Sequence, residues 1–423
     1  MGLERPGSDS GPEREMMIID QAQRGANLRP SVAASESVPS VRRLMIVHVI
    51  TRLLRAGAEE NTLASCLHQL AAGHDVIVVY GAEFDESYRA ELPTELRLIQ
   101  VPELVQPVAP GSDVAALLAM RRLFRRLRPD VIHTHQSKAG ILGRLAAWRS
   151  GAAIVHTVHI VPFVNVGFFQ RIVYILAERL CASFTHRMVS VSNSVQRLYL
   201  DRGIGHPGRH AVVRSGMELD RFARARAPED WKARIGGWHA EARPFIVLML
   251  AAFEPRKKQE AFLRALAPAL RGTPDLYLLF AGAGPCLNDC RALSSRLELD
   301  KQVRFLGHDR EPESLIALAD LCVLASEREG LPRSIIQYVA ANRPVVVASL
   351  PGIEEVIESG VNGVVVAGGD HDAVAAEVLR LHDDRQALER LQSGARATDV
   401  SAWDVARMSA DLDRVYDEAL LAR

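Results

Sequence analysis

The sequence predicts an α/β protein in which two doubly wound domains face each other across a cleft. From Leu44 onward, short apolar runs rich in β-branched residues alternate with longer helical patterns, as they do in a parallel sheet with helices on both faces. The alternation breaks at residues 217–243, which are polar and contain proline and a glycine pair, and it resumes at Phe245. Ligands bind beyond the carboxyl ends of the strands in such sheets, so the cleft is the expected site.

Seven strands are predicted before the break and six after it, at residues 44–50, 75–81, 96–102, 131–135, 153–159, 187–192, 211–216, 245–252, 276–282, 303–307, 321–326, 344–349 and 363–366. These strands place an N-terminal domain at 41–216, a linker at 217–243 and a C-terminal domain at 244–400. Residues 401–423 are expected to form a C-terminal helix that can pack back on the N-terminal domain. Residues 1–40 mix proline, glycine, serine and charge without periodicity, which predicts a disordered tail.

Composition argues against several classes of protein. The chain has 51 basic and 51 acidic residues, a balance that argues against general nucleic-acid binding. Its five cysteines are scattered and lack zinc spacing, which favours free thiols in a reducing compartment. No apolar core follows the N-terminus, and the longest apolar run, at 245–253, is too short to span a bilayer. We therefore expect a cytoplasmic protein.

The segment SEREGLPRSIIQYVAANRPVVVASLPG, at residues 326–352, carries the strongest functional pattern. A polar loop follows a buried apolar strand, and a helix is expected to begin near Pro332, a residue favoured at a first helical position. The free N–H groups and dipole of that helix end suit a phosphate. Taken singly, Glu329 could be a helix-capping acid and Gln337 an ordinary exposed residue.

The same segment resembles the signature of the retaining glycosyltransferases of family four, which have the GT-B fold of two Rossmann-like domains. In that family two glutamates with seven residues between them flank a turn that here is Gly330, Leu331 and Pro332. The resemblance implies that Glu329 contacts the donor sugar and that position 337 holds the ribose. Two residues depart from the pattern, since Gln337 replaces the second glutamate and Asn342 replaces the glycine that ends the helix. A glutamine still accepts a hydrogen bond, so weaker donor binding is expected rather than lost activity.

Other segments extend the resemblance from about residue 42 to the C-terminus. Gly57 falls on the family's loop glycine near the donor phosphates, and His159 falls on its active-site histidine near the transferred sugar. Lys257 matches the lysine expected at the diphosphate, whereas the arginine expected five residues earlier is Ala252. Arg256 or Lys258 could compensate for that loss. The segments DVIHTHQSKAGILGRLAAW and VHTVHIVPF resemble the acceptor side of the cleft, in the N-terminal domain.

No metal or cofactor is expected beyond a nucleotide-diphosphate sugar as co-substrate. The Asp-His-Asp stretch at 370–372 resembles a metal motif of other glycosyltransferases, but Asp372 is better explained as the N-cap of the next helix.

Two stretches raise the question of membrane contact. Residues 114–149 hold eight basic residues and one acid, including Arg121, Arg122, Arg125 and Arg126, and residues 163–184 are strongly apolar. They are either a solvated helix face and a core helix, or a peripheral contact with anionic membrane near a lipid-linked acceptor.

The combined interpretation is a retaining, metal-independent glycosyltransferase that moves a hexose from a nucleotide diphosphate to a glycan or lipid-linked glycan. The pattern SKAGILGRLA, HTVH and PF resembles members of the family that build bacterial surface polysaccharides. The protein is expected in the cytoplasm or at the inner face of the cell membrane. Two alternatives stay open at this point. One is a nucleotide-sugar epimerase of the same fold, and the other is a non-catalytic nucleotide-sugar-binding subunit in which Ala252 and Gln337 have silenced the chemistry.

Overall fold

The protein consists of two parallel β-sheets, each covered by helices. The structure is a computed structural model that describes residues 42–164, 166–236, 243–309 and 311–423. The tail predicted at 1–40 lies outside the described residues. The strands are β1 (Met45–Ile50), β2 (Asp75–Tyr80), β3 (Arg97–Gln100), β4 (Val131–His135), β5 (Ala153–Val158), β6 (Arg187–Ser190), β7 (His210–Val212), β8 (Phe245–Leu250), β9 (Leu276–Ala281), β10 (Val303–Gly307), β11 (Leu321–Leu324), β12 (Val345–Ala348) and β13 (Gly363–Val366).

The strand order confirms the predicted fold class. The first sheet runs β3-β2-β1-β4-β5-β6-β7 and the second β10-β9-β8-β11-β12-β13. Neighbouring strands pair in parallel in both sheets, for example Val47 with Ile77 and Val247 with Leu278. In each sheet the chain starts near the middle and winds to both edges, which is the doubly wound topology.

Helices fill the connections between the strands. They are α1 (Gly57–Ala71), α2 (Tyr88–Glu91), α3 (Pro110–Leu127), α4 (Ser137–Ala147), α5 (Phe168–Ala182), α6 (Asn193–Leu200), α7 (Leu219–Ala223), α8 (Trp231–Arg234), α9 (Gln259–Gly272), α10 (Leu287–Arg296), α11 (Pro312–Leu318), α12 (Arg333–Ala340), α13 (His371–Asp383), α14 (Arg385–Ala397) and α15 (Val405–Leu421). Among the described residues, no helix is both long and apolar enough to cross a lipid bilayer.

The last helix packs on the first sheet. Met408, Leu412, Val415, Tyr416 and Ala419 of α15 are buried in one cluster with apolar residues of β1, β4, β5 and β6. Met217 also pairs with Asp404 in an isolated bridge at the start of this helix. The chain therefore crosses from the C-terminal domain back to the N-terminal one near residue 400.

Two segments differ in detail from the pattern expected from the sequence. Part of the stretch predicted as a linker packs into the C-terminal core, where Leu219, Phe222 and Ile235 are buried. Helix α13 is capped by Asp370, whose Oδ1 accepts a hydrogen bond from the Ala373 N–H at 2.8 Å. The assignment of the cap to Asp372 was therefore wrong, because the helix begins at His371, two residues earlier than that cap requires.

Candidate active site

A cleft of about 2490 Å³ separates the two sheets and is lined by residues that follow the strands of both. Its N-terminal wall includes the loop after β1 and the residues after β4 and β5, such as Gln136 and His159. Its C-terminal wall includes the residues after β8, β9 and β11, such as Lys257, Gly282 and Glu329. The carboxyl ends of both sheets thus meet at one place, as open parallel sheets require for a ligand site.

Glu329 lies at the centre of the C-terminal wall. It follows β11, and its side chain is almost fully buried. Its Oε1 lies 2.5 Å from Lys257 Nζ and 2.6 Å from Arg256 Nη1. Burial alone raises the pKa of this carboxyl, but the charges of Lys257 and Arg256 outweigh burial and hold the pKa below its usual value. Glu329 is therefore ionised, and no side-chain hydrogen bond caps α12, so the capping interpretation is wrong.

An alternating chain of charges continues from Glu329 across the cleft. Arg256 Nε donates to Glu254 Oε2 at 2.8 Å, and Arg52 Nη2 of the N-terminal domain donates to Glu254 Oε1 at 2.7 Å. Arg52 Nε also lies 3.3 Å from Glu59 Oε1 on α1. Glu329 and Glu254 therefore each contact two cations, Glu59 contacts Arg52, and the pair of Arg52 with Glu254 joins the two domains in the cleft.

The structure distinguishes the two basic residues that could replace the arginine missing at position 252. Arg256 lines the cleft and bonds Glu329. Lys258 instead pairs with Glu327 at 2.9 Å and does not line the cleft. The second cation beside Lys257 is therefore Arg256, with Arg52 facing it from the other domain.

The turn between Glu329 and α12 brings the domains into contact. A Cβ placed on Gly330 would lie 1.9 Å from the carbonyl oxygen of His159, so only glycine allows this approach. Leu331 is buried in the C-terminal core and Pro332, with extended backbone, forms the N-cap of α12. Gln337 lines the cleft, and its side chain makes no hydrogen bond with any residue that the structure describes.

Gly57 begins α1 and faces the first residue of α12. A Cβ on Gly57 would lie 3.0 Å from Arg333 Cδ. Arg333 reaches across the cleft, where Nη1 donates to the Gly216 carbonyl at 3.0 Å and Nη2 lies 3.6 Å from Glu60 Oε2. The loop glycine predicted near the phosphates thus makes room for an arginine side chain of the opposite domain.

His159 is buried at the end of β5, beside this contact. Its Nε2 lies 3.1 Å from Nδ1 of His135. Burial, together with the charge of Arg333, lowers the pKa of His159 to about 4. The ring is therefore neutral near pH 7 and can either donate or accept one hydrogen bond at its cleft side.

Three buried histidines of the N-terminal sheet, His48, His133 and His135, have nitrogens close enough together to hold a metal ion. Both ring nitrogens of each histidine already have hydrogen-bond partners in the structure. A metal would have to displace those bonds. The sequence signal for this cluster is the placement of His48 on β1 and of the His-Thr-His segment on β4, two strands that are neighbours in the sheet.

Comparison with known proteins assigns the family. A family model described as Glycosyltransferase Family 4 matches residues 56–221. A second, described as Glycosyl transferases group 1, matches residues 244–384. The chain is a glycosyltransferase of the family-four type with the GT-B fold. The sequence left three functions open, and the family assignment supports the transferase among them.

Curated relatives of the transferase carry related names. UDP-Gal:alpha-D-GlcNAc-diphosphoundecaprenol alpha-1,3-galactosyltransferase of Escherichia coli is 26% identical over 336 residues, which cover 77% of this chain and 84% of that protein. D-inositol 3-phosphate glycosyltransferase of Thermobispora bispora is 28% identical over 360 residues, or 81% and 79% of the two chains.

Solved structures share the fold of the transferase at low identity. Anabaena HepE in complex with UDP and glucose superposes with a TM-score of 0.74 and 20% identity, covering 89% of this chain and all of that one (100%). WaaG, a glycosyltransferase involved in lipopolysaccharide biosynthesis, gives a TM-score of 0.70 at 16% identity, covering 88% and 98%.

The site of the transferase contains residues that the sequence pattern did not identify. Glu329, Arg256, Lys257, Gly330 and His159 lie together, and Gly57 joins them through Arg333. The chain of charges is completed by Arg52, Glu254 and Glu59, none of which belongs to a sequence motif of the family. Arg52 lies in the short loop between β1 and Gly57, the first residue of α1, so the predicted strand end was the signal that could have found Arg52.

Proposed function

We propose that the transferase moves a hexose from a nucleotide diphosphate donor to a lipid-linked glycan, with retention of the anomeric configuration. The observation that carries the proposal is Glu329, which is held between Lys257 and Arg256 in the cleft and is followed by the contact of Gly330 with His159. The names of relatives support the donor and acceptor classes, since one is a UDP-Gal-dependent enzyme acting on a diphosphoundecaprenol-linked sugar. The fold neighbour HepE was solved with UDP-glucose.

In this proposal the donor diphosphate binds Lys257, Arg256 and the N-terminal turn of α12. Both cations now share one oxygen of Glu329, and an incoming diphosphate would take over part of that pairing. The free N–H groups at the start of α12 add hydrogen bonds and the positive end of the helix dipole. The Glu329 carboxylate is then free to accept hydroxyl groups of the donor sugar, and the diphosphate oxygens can take the acceptor proton.

The nucleoside half of the donor is assigned to the same wall. Gln337 faces the cleft one turn into α12 with its amide unpaired among the described residues, so it can meet the ribose hydroxyls. Gly282 and Gly284 follow β9, and a Cβ on Gly282 would lie 2.0 Å from the Ala251 carbonyl oxygen. Because neither glycine has a side chain, a planar base can lie against the backbone at this point.

A lipid-linked acceptor is favoured by the surface of α5. This helix lines the cleft through Gln170, Val173, Tyr174 and Ala177. Its outer face exposes six large apolar side chains: Phe168, Phe169, Ile172, Val173, Leu176 and Leu180. Phe169 is 82% exposed. A contiguous exposed apolar face at the mouth of a cleft is typical of a surface that meets lipid.

Basic residues are exposed on α3, which packs against α4, the helix that also contacts α5. Helices α3, α4 and α5 pack side by side. Arg122, Arg125 and Arg126 of α3 are exposed and have no acidic partner among the described residues. Helix α5 is anchored to α4 by the buried pair of Arg144 and Glu178, 2.7 Å apart. We therefore place the protein in the cytoplasm, at the inner face of the membrane, with α3 and α5 against anionic lipid.

No metal ion takes part in the proposed reaction. Two side-chain cations and a helix terminus already stand where a divalent ion would neutralise the diphosphate. Turnover should therefore survive exhaustive chelation, and loss of turnover that added magnesium or manganese restores would contradict this part of the proposal.

The decisive experiment uses the purified protein, a panel of nucleotide-diphosphate hexoses and an undecaprenyl-diphosphate-linked sugar. Wild-type protein should release nucleoside diphosphate and form an α-linked product from an α-linked donor. Glu329→Gln should lower turnover by about a hundredfold or more, the usual effect of removing a group that acts in the transition state. Glu327→Gln is the matched control, because this acid is two residues away and pairs with Lys258 outside the cleft.

Three results would overturn the proposal. They are transfer only to soluble glycans, a product of inverted configuration, and release of an epimerised sugar without any acceptor. Equal turnover of the two glutamate variants would remove Glu329 from the site.

A further inference from the structure

His159 is one end of a continuous chain of buried side chains that runs through the N-terminal sheet. Its Nε2 lies 3.1 Å from His135 Nδ1, and His135 Nε2 lies 2.9 Å from His48 Nδ1. His48 Nε2 lies 2.8 Å from Gln69 Oε1 on α1. Four elements, β5, β4, β1 and α1, thus contribute one polar group each to a single path.

The path continues beyond Gln69 to the C-terminal helix. Gln69 Nε2 donates to the hydroxyl of Tyr416 at 3.1 Å, and that hydroxyl lies 2.7 Å from His133 Nδ1. His133 Nε2 lies 2.7 Å from Thr157 Oγ1. Each of these residues is buried, and each polar atom named along the path already has a protein partner.

Each histidine in the chain carries a single ring proton near pH 7. Burial lowers the pKa of His48 and His159 to about 4 and lowers the pKa of His133 and His135 well below the usual value. A neutral imidazole donates from one nitrogen and accepts at the other. The position of one proton therefore fixes the position of the next.

The orientation of Gln69 gives the chain its direction. Its Oε1 can only accept, so His48 donates from Nε2 and accepts at Nδ1. His135 must then donate from Nε2 to His48 and accept at Nδ1, and His159 must donate from Nε2 to His135. On the other branch, Gln69 Nε2 donates to Tyr416, Tyr416 donates to His133 Nδ1, and His133 donates to Thr157.

We infer that this chain fixes the ring proton of His159 on Nε2, so that its Nδ1 presents a lone pair to the cleft and accepts a hydroxyl of the bound sugar. Nδ1 has no partner among the described residues, and His159 lines the cleft. Gln69, His48 and His135 are then positioning residues for the transfer reaction, although Gln69 is three side chains away from the ligand. The inference rests on the proposed function only for the identity of the hydroxyl.

The opposite direction is also self-consistent, but it requires a concerted change. Gln69 would have to turn its amide over, and the protons of His48, His135, His159, Tyr416 and His133 would all have to move. A partial change leaves a buried donor facing a donor or an acceptor facing an acceptor. The chain therefore has two states, and the amide of Gln69 selects between them.

The test measures ring protonation directly, in ligand-free protein labelled with 15N-histidine. Two-bond 15N–1H correlations distinguish Nε2–H from Nδ1–H, and a His159→Asn variant assigns the signal. Wild-type His159 should carry its proton on Nε2. Gln69→Met removes both ends of the amide and should leave His159 as a mixture of the two forms, with kcat/KM lowered about two- to tenfold, the range for one neutral hydrogen bond.

Two further variants separate the inference from a general loss of packing. Thr134→Val breaks a buried 2.9 Å bond to His156, outside the chain, and should leave His159 as Nε2–H at a similar cost in stability. Gln69→Glu keeps the side-chain size and accepts on both sides. This variant should keep the His159 proton on Nε2 while moving the His133 proton to Nδ1. It replaces Gln69→Met as the test variant if Gln69→Met does not fold.

The inference fails if wild-type His159 carries its proton on Nδ1, or if Gln69→Met leaves the protonation of His159 unchanged. It also fails if the wild type binds one equivalent of zinc through His48, His133 and His135, because those lone pairs would then belong to the metal. All three results are obtained without donor or acceptor, so they stand apart from a failure of the proposed function.

Discussion

The backbone of Gly330 touches the carbonyl of His159 so closely that a Cβ on residue 330 would lie 1.9 Å from that oxygen. The two residues belong to different domains, and each is adjacent to a group of the candidate site. At this contact there is no room for a side chain between the two domains. The contact also makes position 330 one where a single methyl group opposes closure.

Gly330→Ala should weaken closure and leave each domain folded. The added methyl cannot be placed without moving backbone, and overpacking of this kind costs about 1–3 kcal/mol. We expect kcat/KM to fall about ten- to hundredfold. Small-angle scattering should show a larger radius of gyration with donor bound. Gly272→Ala is the control, because a Cβ there meets nothing within 4 Å. A Gly330→Ala enzyme with normal turnover would show that the cleft works in a more open form.

Glu355→Gln should also favour the open form. The carboxylate of Glu355 accepts from the N–H groups of Asn193 at 2.7 Å and Ser194 at 3.3 Å, at the start of α6, and from Arg214 at 3.0 Å. These are charge-assisted bonds between domains, each contributing about 1.5–3 kcal/mol. Glu354→Gln is the matched variant, since among the described residues that acid makes a single hydrogen bond between the domains, to the Ser194 hydroxyl. Interdomain fluorescence transfer should drop more in Glu355→Gln than in Glu354→Gln, and equal values would show that Glu355 does not hold the two domains together.

Gln337→Glu should tighten donor binding several-fold if position 337 meets the ribose. A carboxylate makes stronger hydrogen bonds to hydroxyl groups than an amide does, by about 1 kcal/mol. The measurement is donor affinity by calorimetry in the absence of acceptor. Unchanged or weaker affinity would mean that the pocket is built around the amide, and the ribose assignment would be withdrawn.

Stability should fall as pH is lowered from about 6.5 to 4. Burial holds the pKa of His48 at about 4 in the folded protein, against 6.5 in the unfolded chain. The unfolded state therefore binds the extra proton in this window, and each such histidine removes about 1.4 kcal/mol of unfolding free energy per pH unit. The full contribution is present above pH 6.5. Urea unfolding of wild type and His48→Gln checks the sign, because the variant should show a shallower dependence.

Anionic vesicles should bind the protein and release it as salt is raised. Each basic side chain near such a surface contributes about 1 kcal/mol within a Debye length. Replacing Arg121, Arg122, Arg125 and Arg126 by glutamine, or Phe168 and Phe169 by serine, should weaken vesicle binding while donor affinity stays constant. The matched control removes four arginines of the C-terminal domain: Arg264, Arg271, Arg291 and Arg296. If that control loses as much binding, only net charge matters and the α3–α5 surface has no special role.

The fold could be predicted because its central strands are buried on both faces and are continuous apolar runs, as in β9, β11 and β12. Three predicted ranges, 131–135, 303–307 and 363–366, coincide with the observed strands β4, β10 and β13. Glu329, Lys257 and Gly330 were placed in the cleft by the family resemblance of the segments that follow β8 and β11. Local sequence was sufficient where one segment alone determines the position of a group.

Local sequence was insufficient where a contact joins distant segments. Arg52 meets Glu254, 202 residues away, and as a loop arginine it has no pattern that distinguishes it from a solvated one. The histidine chain has the same character, since Gln69 and Tyr416 are 347 residues apart. Such pairs depend on the packing of two domains and the last helix, which apolar periodicity does not encode.

The return of α15 to the first sheet has a consequence for how the polypeptide is made. Leu44, Ile46 and Val131 are covered by Met408, Leu412 and Val415. During synthesis, that face of the first sheet stays uncovered until residues 405–421 have left the ribosomal exit tunnel. The N-terminal domain is synthesised first, but its core is therefore completed after that of the C-terminal domain. The growing chain carries an uncovered apolar surface throughout the synthesis of the C-terminal domain.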